Sequence, residues 1–238
     1  MPKSDRKMNK IALVSGASGG LGREIVKTLT ASQYTVIAIY NTNTFDRNKK
    51  KNIWHIKMDL TKKEEIEAGF NIIAQRFEHI AAIINCAAVN KDGLLIKYID
   101  QDLDNTIAVN LTGTFKIIQH AAPFLIKSKN AHIINVSSRA GLQGSIGQAA
   151  YSASKAALIG LSMSIAKELA QYNIRVNVLV PGYMDTPMGR ENLKAMKLAK
   201  EHSLINRLSS AEEAAQLVKL ILTTSNITGQ IFRLDNRL

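Results

Sequence analysis

The chain has 238 residues, 46% of them hydrophobic and 21% charged, with a formal net charge of +12 at pH 7. That balance excludes a disordered polypeptide and leaves enough apolar side chains for a sizeable core. The basic surplus is scattered and aromatics are only 5%, so no basic stripe with interleaved aromatics argues for nucleic acid.

Residues 1–9 form a basic N-terminal extension. The apolar run Ile11–Val14 behind it is too short for a secretory signal. "KIALVS" (10–15) reads as a buried strand, followed by a Gly-rich turn and a helix over Leu21–Ala31. "TVIAIY" (35–40) is a second strand. The stretch 41–52 after it leaves no room for a crossover helix, so a loop or a single turn is expected. "IWHIKM" (53–58) is the third strand, and Thr61 with Glu64 marks the capping box of the next helix. "AAIINC" (81–86) is the fourth. It holds the only cysteine, Cys86, which excludes an internal disulfide and a thiolate zinc site and fits a reducing, cytoplasmic setting.

A long helix is expected over 100–127, with Pro123 kinking it or starting a turn in its last part. A fifth strand covers 131–138, a helix about 150–172, a sixth strand 174–180, a last helix 210–222 and a seventh strand 229–234. Continuously apolar strands alternating with helices predict one α/β domain, a doubly wound, seven-stranded parallel sheet covered on both faces. No apolar run approaches the ~18 residues that a membrane span needs. The five histidines have no metal spacing, and no metal site is expected.

"SGASGGLG" (15–22) sits between the first strand and the first helix. Gly16 permits a tight turn, and Gly20 and Gly22 allow close approach of backbone to a ligand. A pyrophosphate would rest on the free N–H groups of the helix N-terminus. A second cluster is Ser138, Tyr151 and Lys155. Tyr and Lys four apart share a helix face, and an ammonium there is expected to lower the phenol's pKa and make it a proton donor. Alone, each of these residues has a plainer reading: a packing tyrosine, a strand-end serine, a solvated lysine. Ser137 is expected to be structural.

The Gly-x-x-x-Gly-x-Gly spacing after Ser15 resembles the Thr-Gly-x-x-x-Gly-x-Gly pattern of the short-chain dehydrogenases/reductases. The resemblance runs over about 10–235. "MDL" (58–60), "NCAA" (85–88), "VNLTGTF" (109–115) and "PGYMDT" (181–186) follow in the family's order. It implies a nicotinamide cofactor held by Ser15, Gly16, Ser18, Gly20, Leu21, Gly22, Asn41, Asp59, Leu60, Asn85, Ala87, Tyr151, Lys155, Pro181, Gly182, Met184 and Thr186. It also implies that Tyr151 protonates a carbonyl oxygen, Ser138 hydrogen-bonds that oxygen, Lys155 reaches the ribose and Asn110 orients a relay water. Cys86 and Ala88 depart from the family's Asn-Asn-Ala-Gly. Asn41, with no acid at the end of strand two and Lys49–Lys51 nearby, favours NADP(H) over NAD(H). Against that, Gly19 stands where many NADPH-dependent members have Arg.

Leu142, Gln148 and Tyr183 are expected to wall the substrate, under a lid at 187–207. Leu193, Met196, Leu198 and Leu204 either line an apolar pocket there or pack the lid. The pattern is most similar to the 3-oxoacyl-acyl-carrier-protein reductases of fatty-acid synthesis. An acidic carrier would suit the net charge, and Lys127 and Lys129 are its expected docking residues. The C-terminal "LDNRL" departs from that group's Asp-Gly-Gly. The alternatives are an acetoacetyl-CoA or hydroxysteroid-type dehydrogenase and, in a different class, a non-catalytic cofactor-binding scaffold. The family's tetramer surfaces imply a homotetramer or homodimer through the two long helices, at Ile107, Leu111, Leu158 and Leu161.

Overall fold

Strand order is what places the site. In the computed structural model, which describes residues 10–42 and 52–237, seven parallel strands run in the order β3-β2-β1-β4-β5-β6-β7. They are β1 (Ile11–Ser15), β2 (Thr35–Tyr40), β3 (Ile53–Lys57), β4 (Ala82–Asn85), β5 (Ala131–Val136), β6 (Ile174–Pro181) and β7 (Ile231–Leu234). The order reverses between β1 and β4, which opens a crevice at the carboxyl ends of the strands. The basic extension 1–9 and Lys49–Lys51 lie outside the described residues.

Alternate side chains of each strand feed two cores. Ile11 and Leu13 join one face with Ile117, Leu125 and Ile133, while Ala12 and Val14 join the other with Ile25, Leu29 and Val218. Because both faces of the inner strands are covered, β1, β4, β5 and β6 are buried along their whole length, while the edge strands β3 and β7 expose residues to solvent. The helices are α1 (Gly20–Ala31), α2 (Lys63–Ala74), α3 (Asp100–Ile107), α4 (Thr114–Ser128), α5 (Arg139–Gln143), α6 (Ala149–Leu169), α7 (Pro187–Arg190), α8 (Leu193–Glu201) and α9 (Ala211–Thr223).

Three expectations change. The helix expected over 100–127 is α3 and α4 joined by a π-helical turn, Ala108–Gly113, and Pro123 is accommodated inside α4. Thr61 does not cap α2: the Asp59 carboxylate accepts both its N–H (2.9 Å) and its hydroxyl (2.7 Å). α2 begins at Lys63, so Thr61 stands one residue before the cap position. Lys62 is the cap residue instead, and Glu65 reaches back to accept the Asp59 N–H at 2.8 Å. Finally, Leu158 is buried within the chain and is not a surface for association.

Candidate active site

The β1–α1 turn is a cradle shaped by missing side chains. Gly16 has φ +65, and a Cβ built on it would lie 2.6 Å from the Ala87 backbone. A Cβ on Gly20 would lie 2.6 Å from the Thr186 side chain, and one on Gly22 would strike the Gly16 carbonyl. So β1, the loop after β4 and the loop after β6 close on one point. Gly19 caps α1 with no side-chain acceptor, and the first turn carries no acidic residue. Its N–H groups and the positive end of its dipole thus face the crevice without an internal anion, which fits a dinucleotide's phosphates.

Around the cradle, the Arg23 Nε donates to the Ser18 carbonyl at 2.7 Å. Leu21 and Leu60 are buried. Asn41, at the end of β2, hydrogen-bonds the Asp59 side chain; burial pushes that carboxyl up, but bonds from Thr61 and Asn41 and the Lys62 charge hold it below the usual range. Asn85 does not present its side chain to the crevice. It bonds Ser15 (3.4 Å) and Asn135 (2.8 Å), and Asn135 in turn donates to Ser162 at 2.8 Å. This buried polar ladder crosses β1, β4, β5 and α6. Ala87 donates its N–H to Ser15 Oγ at 3.4 Å.

Pro181 ends β6, Gly182 donates its N–H to the Leu234 carbonyl at 2.7 Å, and Met184 bridges to Ser209. Thr186 is the N-cap of α7, accepting from Gly189 N–H at 3.2 Å, so its oxygen already has a partner.

The second cluster lies at the end of β5. Ser138 caps α5, accepting the Ala140 N–H at 3.2 Å, which leaves its own hydrogen for the Tyr151 phenol. Gly141 lets α5 rest on α6: a Cβ there would lie 2.7 Å from the Lys155 carbonyl carbon. Ser137, just after β5, donates to the Lys155 carbonyl on α6 at 2.7 Å. Lys155 is 2% exposed, donates from Nζ to the Val136 carbonyl at 2.8 Å and stands 5.7 Å from the centre of the Tyr151 ring.

The electrostatics overturn one expectation. Burial pushes the Tyr151 phenol up, and the Ser138 hydrogen bond offsets this only in part. Burial also pulls Lys155 down to about 8, with a weak opposing push from Cys86. The two groups share a dry cleft, and burial disfavours the charged form of each. Cys86 itself is pushed up to about 12 by burial, an inert thiol.

Asn110 is fully buried in the π turn and makes three side-chain hydrogen bonds. Its Oδ1 accepts the Val89 N–H (2.8 Å), and its Nδ2 donates to the Val89 carbonyl (3.0 Å) and Ser154 Oγ (3.0 Å). These bonds fix the loop after β4 against α6. π turns recur at functional sites, and this one turns Asn110 inward.

On the substrate side, Gln148 is the N-cap residue of α6, and the Tyr183 hydroxyl lies 2.8 Å from the Gly189 carbonyl and 3.2 Å from that of Asn192. Leu142 is 37% exposed on α5. The 187–207 segment carries α7 and α8. Leu193, Leu198 and Leu204 are exposed there, so they are not its packing face; Ala199 and Ser203 are its buried residues. Lys127 and Lys129 lie before β5, at the end of the sheet opposite Ser138 and Tyr151, so they do not border this site. Sequence reasoning missed Asp92, whose carboxylate joins Asn90, Gln148 and Asn192. Its partners lie up to 100 residues away, and no local pattern marks them. No cluster of possible metal ligands occurs among the described residues, and none of their helices is long and apolar enough to cross a membrane.

Comparison with known proteins agrees with this geometry. Residues 10–197 match the family model described as short chain dehydrogenase. The 3-oxoacyl-acyl-carrier-protein reductase FabG of Thermotoga maritima is 35% identical, covering 98% of this chain and 99% of the relative. Carbonyl reductase family member 4 of Xenopus laevis is 35% identical over 97% and 98%. A solved structure of an ElxO variant with NADPH bound has the same fold: its TM-score is 0.87 at 23% identity, over 96% of this chain and 98% of that one. The chain belongs to the short-chain dehydrogenase/reductase family, oxidoreductases that use a nicotinamide cofactor.

Proposed function

We propose that the protein is an NADPH-dependent reductase of 3-oxoacyl thioesters. The observation that carries the reaction type is the triad at the end of β5. Tyr151 is hydrogen-bonded to Ser138 and faces a buried lysine, on the same crevice as an uncapped glycine cradle. The bound cofactor supplies the hydride. The residues supply the rest. Burial keeps Tyr151 protonated near neutral pH, so it holds a proton ready for the carbonyl oxygen as that oxygen gains charge. Ser138 donates to the same oxygen and stabilises the developing charge. Lys155, anchored on the Val136 carbonyl, supports the tyrosine and the cofactor ribose. Asn110 positions the loop after β4.

NADPH over NADH rests on Asn41, which leaves the end of β2 without the acid that selects a free ribose hydroxyl. The thioester substrate rests on the names of relatives from several organisms, such as the 3-oxoacyl-acyl-carrier-protein reductase of Aquifex aeolicus, 32% identical over 95% of this chain. An acidic carrier would meet Lys194, Lys197 and Lys200 on α8, beside the site, in preference to Lys127 and Lys129. Association through the α3–α4 side would cover the exposed Leu103 and Phe115. A cytoplasmic setting suits the single, reduced Cys86.

A panel of 3-oxoacyl thioesters, acetoacetyl-CoA, ketosteroids and simple ketones, run with NADPH and with NADH, tests this reading. Reduction of the thioesters with NADPH is expected, and Tyr151→Phe should lose nearly all of it while binding NADPH normally. If NADPH binds and no carbonyl is reduced, the protein is a scaffold instead.

A further inference from the structure

Three loops meet at one exposed carboxylate. Asp92, in the loop after β4, accepts from Gln148 Nε2 (2.9 Å) and Asn90 Nδ2 (2.8 Å) on Oδ1, and from Asn192 Nδ2 (2.9 Å) on Oδ2. Gln148 lies three residues before Tyr151, and Asn192 is the N-cap residue of α8. The backbone follows the same path: Gly93 donates its N–H to the Gly147 carbonyl at 2.8 Å and pairs with Gln148.

The orientation of Asn192 is not free. Its Oδ1 caps α8 by accepting the Ala195 N–H at 3.0 Å. Its Nδ2 must therefore face Asp92, and flipping the amide would abandon the cap. Both oxygens at position 92 must accept, which a carboxylate does and an amide does not. Burial pushes the Asp92 carboxyl up, yet the bonds from Gln148, Asn192 and Asn90 outweigh it and hold the group below the usual range.

We propose that Asp92 is a positioning residue, a latch that holds α7 and α8 against the N-terminus of α6, where Gln148 and Tyr151 lie, and so sets the width of the carbonyl's entry. The inference rests on the reading of Tyr183 and the 187–207 segment as the wall of the substrate site.

Asp92→Asn places a donor against Asn192 or Gln148. Asn192→Ser keeps a capping oxygen but is too short to reach Asp92. Hydrogen exchange of residues 187–201 in the NADPH-bound protein should quicken about five- to tenfold in each variant, with no further gain in the double variant. NADPH affinity should be unchanged. KM for the reduced carbonyl should rise by a similar factor, with kcat within about twofold. Wild-type exchange over 187–201 in Asp92→Asn, or effects that multiply in the double variant, would overturn the latch. So would equal acceleration in the β-strands, because the contact would then serve the fold as a whole. If the wild type reduces no carbonyl, the functional reading fails, and the exchange data still decide the latch.

Discussion

Replacing Lys155 with Met tests the physics of the site directly. The ordinary lysine value of 10.5 falls to about 8 in the folded chain, with burial as the main cause. The unfolded chain then binds more protons between those two values, so stability rises with pH through that window, and the whole penalty stands below it. At pH 7 the gap corresponds to about 3 kcal/mol. Lys155→Met removes that penalty but deprives the Val136 carbonyl of its 2.8 Å donor, at a cost of about 1–2 kcal/mol. The variant should thus be about 1–2 kcal/mol more stable than wild type at pH 7. By pH 10 the wild type should have regained about 2–3 kcal/mol relative to the variant, enough to erase or reverse the difference. Urea unfolding of both proteins at pH 7 and pH 10 measures this, and reduction should be lost in the variant throughout. A stability difference that is the same at both pH values would refute a strained, buried ammonium.

Three further outcomes follow from the same geometry. Gly16→Ala should destabilise the protein by about 2–4 kcal/mol, because a side chain at φ +65 would press on the Ala87 backbone; NADPH affinity by calorimetry should fall at least about tenfold with it. Asn110→Leu orphans the Val89 N–H and carbonyl and should cost about 2–4 kcal/mol in chemical denaturation, with activity falling in step. Asn41→Asp should move the NADPH-to-NADH ratio of kcat/KM toward NADH by at least about tenfold; an unchanged ratio would place recognition of the 2′-phosphate elsewhere.

The sheet and the two motif clusters were legible because they depend on local chemistry. Apolar runs alternating with helical periods predict the parallel sheet. Gly16, Gly20 and Gly22 are readable because no other residue fits a positive φ or those close approaches. Tyr151 and Lys155 share a face by spacing alone. What stayed hidden depends on distance or solvation. The π turn around Asn110 leaves the helical pattern of 100–127 unbroken, so sequence could not show that the asparagine turns inward to Val89. The opposite shifts of Tyr151 and Lys155 come from how dry the cleft is. Thr61 has the residue type of a cap, but α2 starts at Lys63, one residue too late for it. The Asp92 contacts span 56 and 100 residues.

The run of side chains from Ser15 through Asn85 and Asn135 to Ser162 has a consequence for how the halves of the molecule align. Ser15 pairs with Asn85 and Asn85 with Asn135 in the strand register. Apolar neighbours would tolerate a two-residue slide of β4 against β1 or β5, since inward and outward faces would be kept. Amides surrounded by hydrocarbon would not, because each would be stranded without a mate. A row of four uncharged polar groups thus works as a ruler, keeping the glycine turn on one side of the sheet level with the tyrosine on the other.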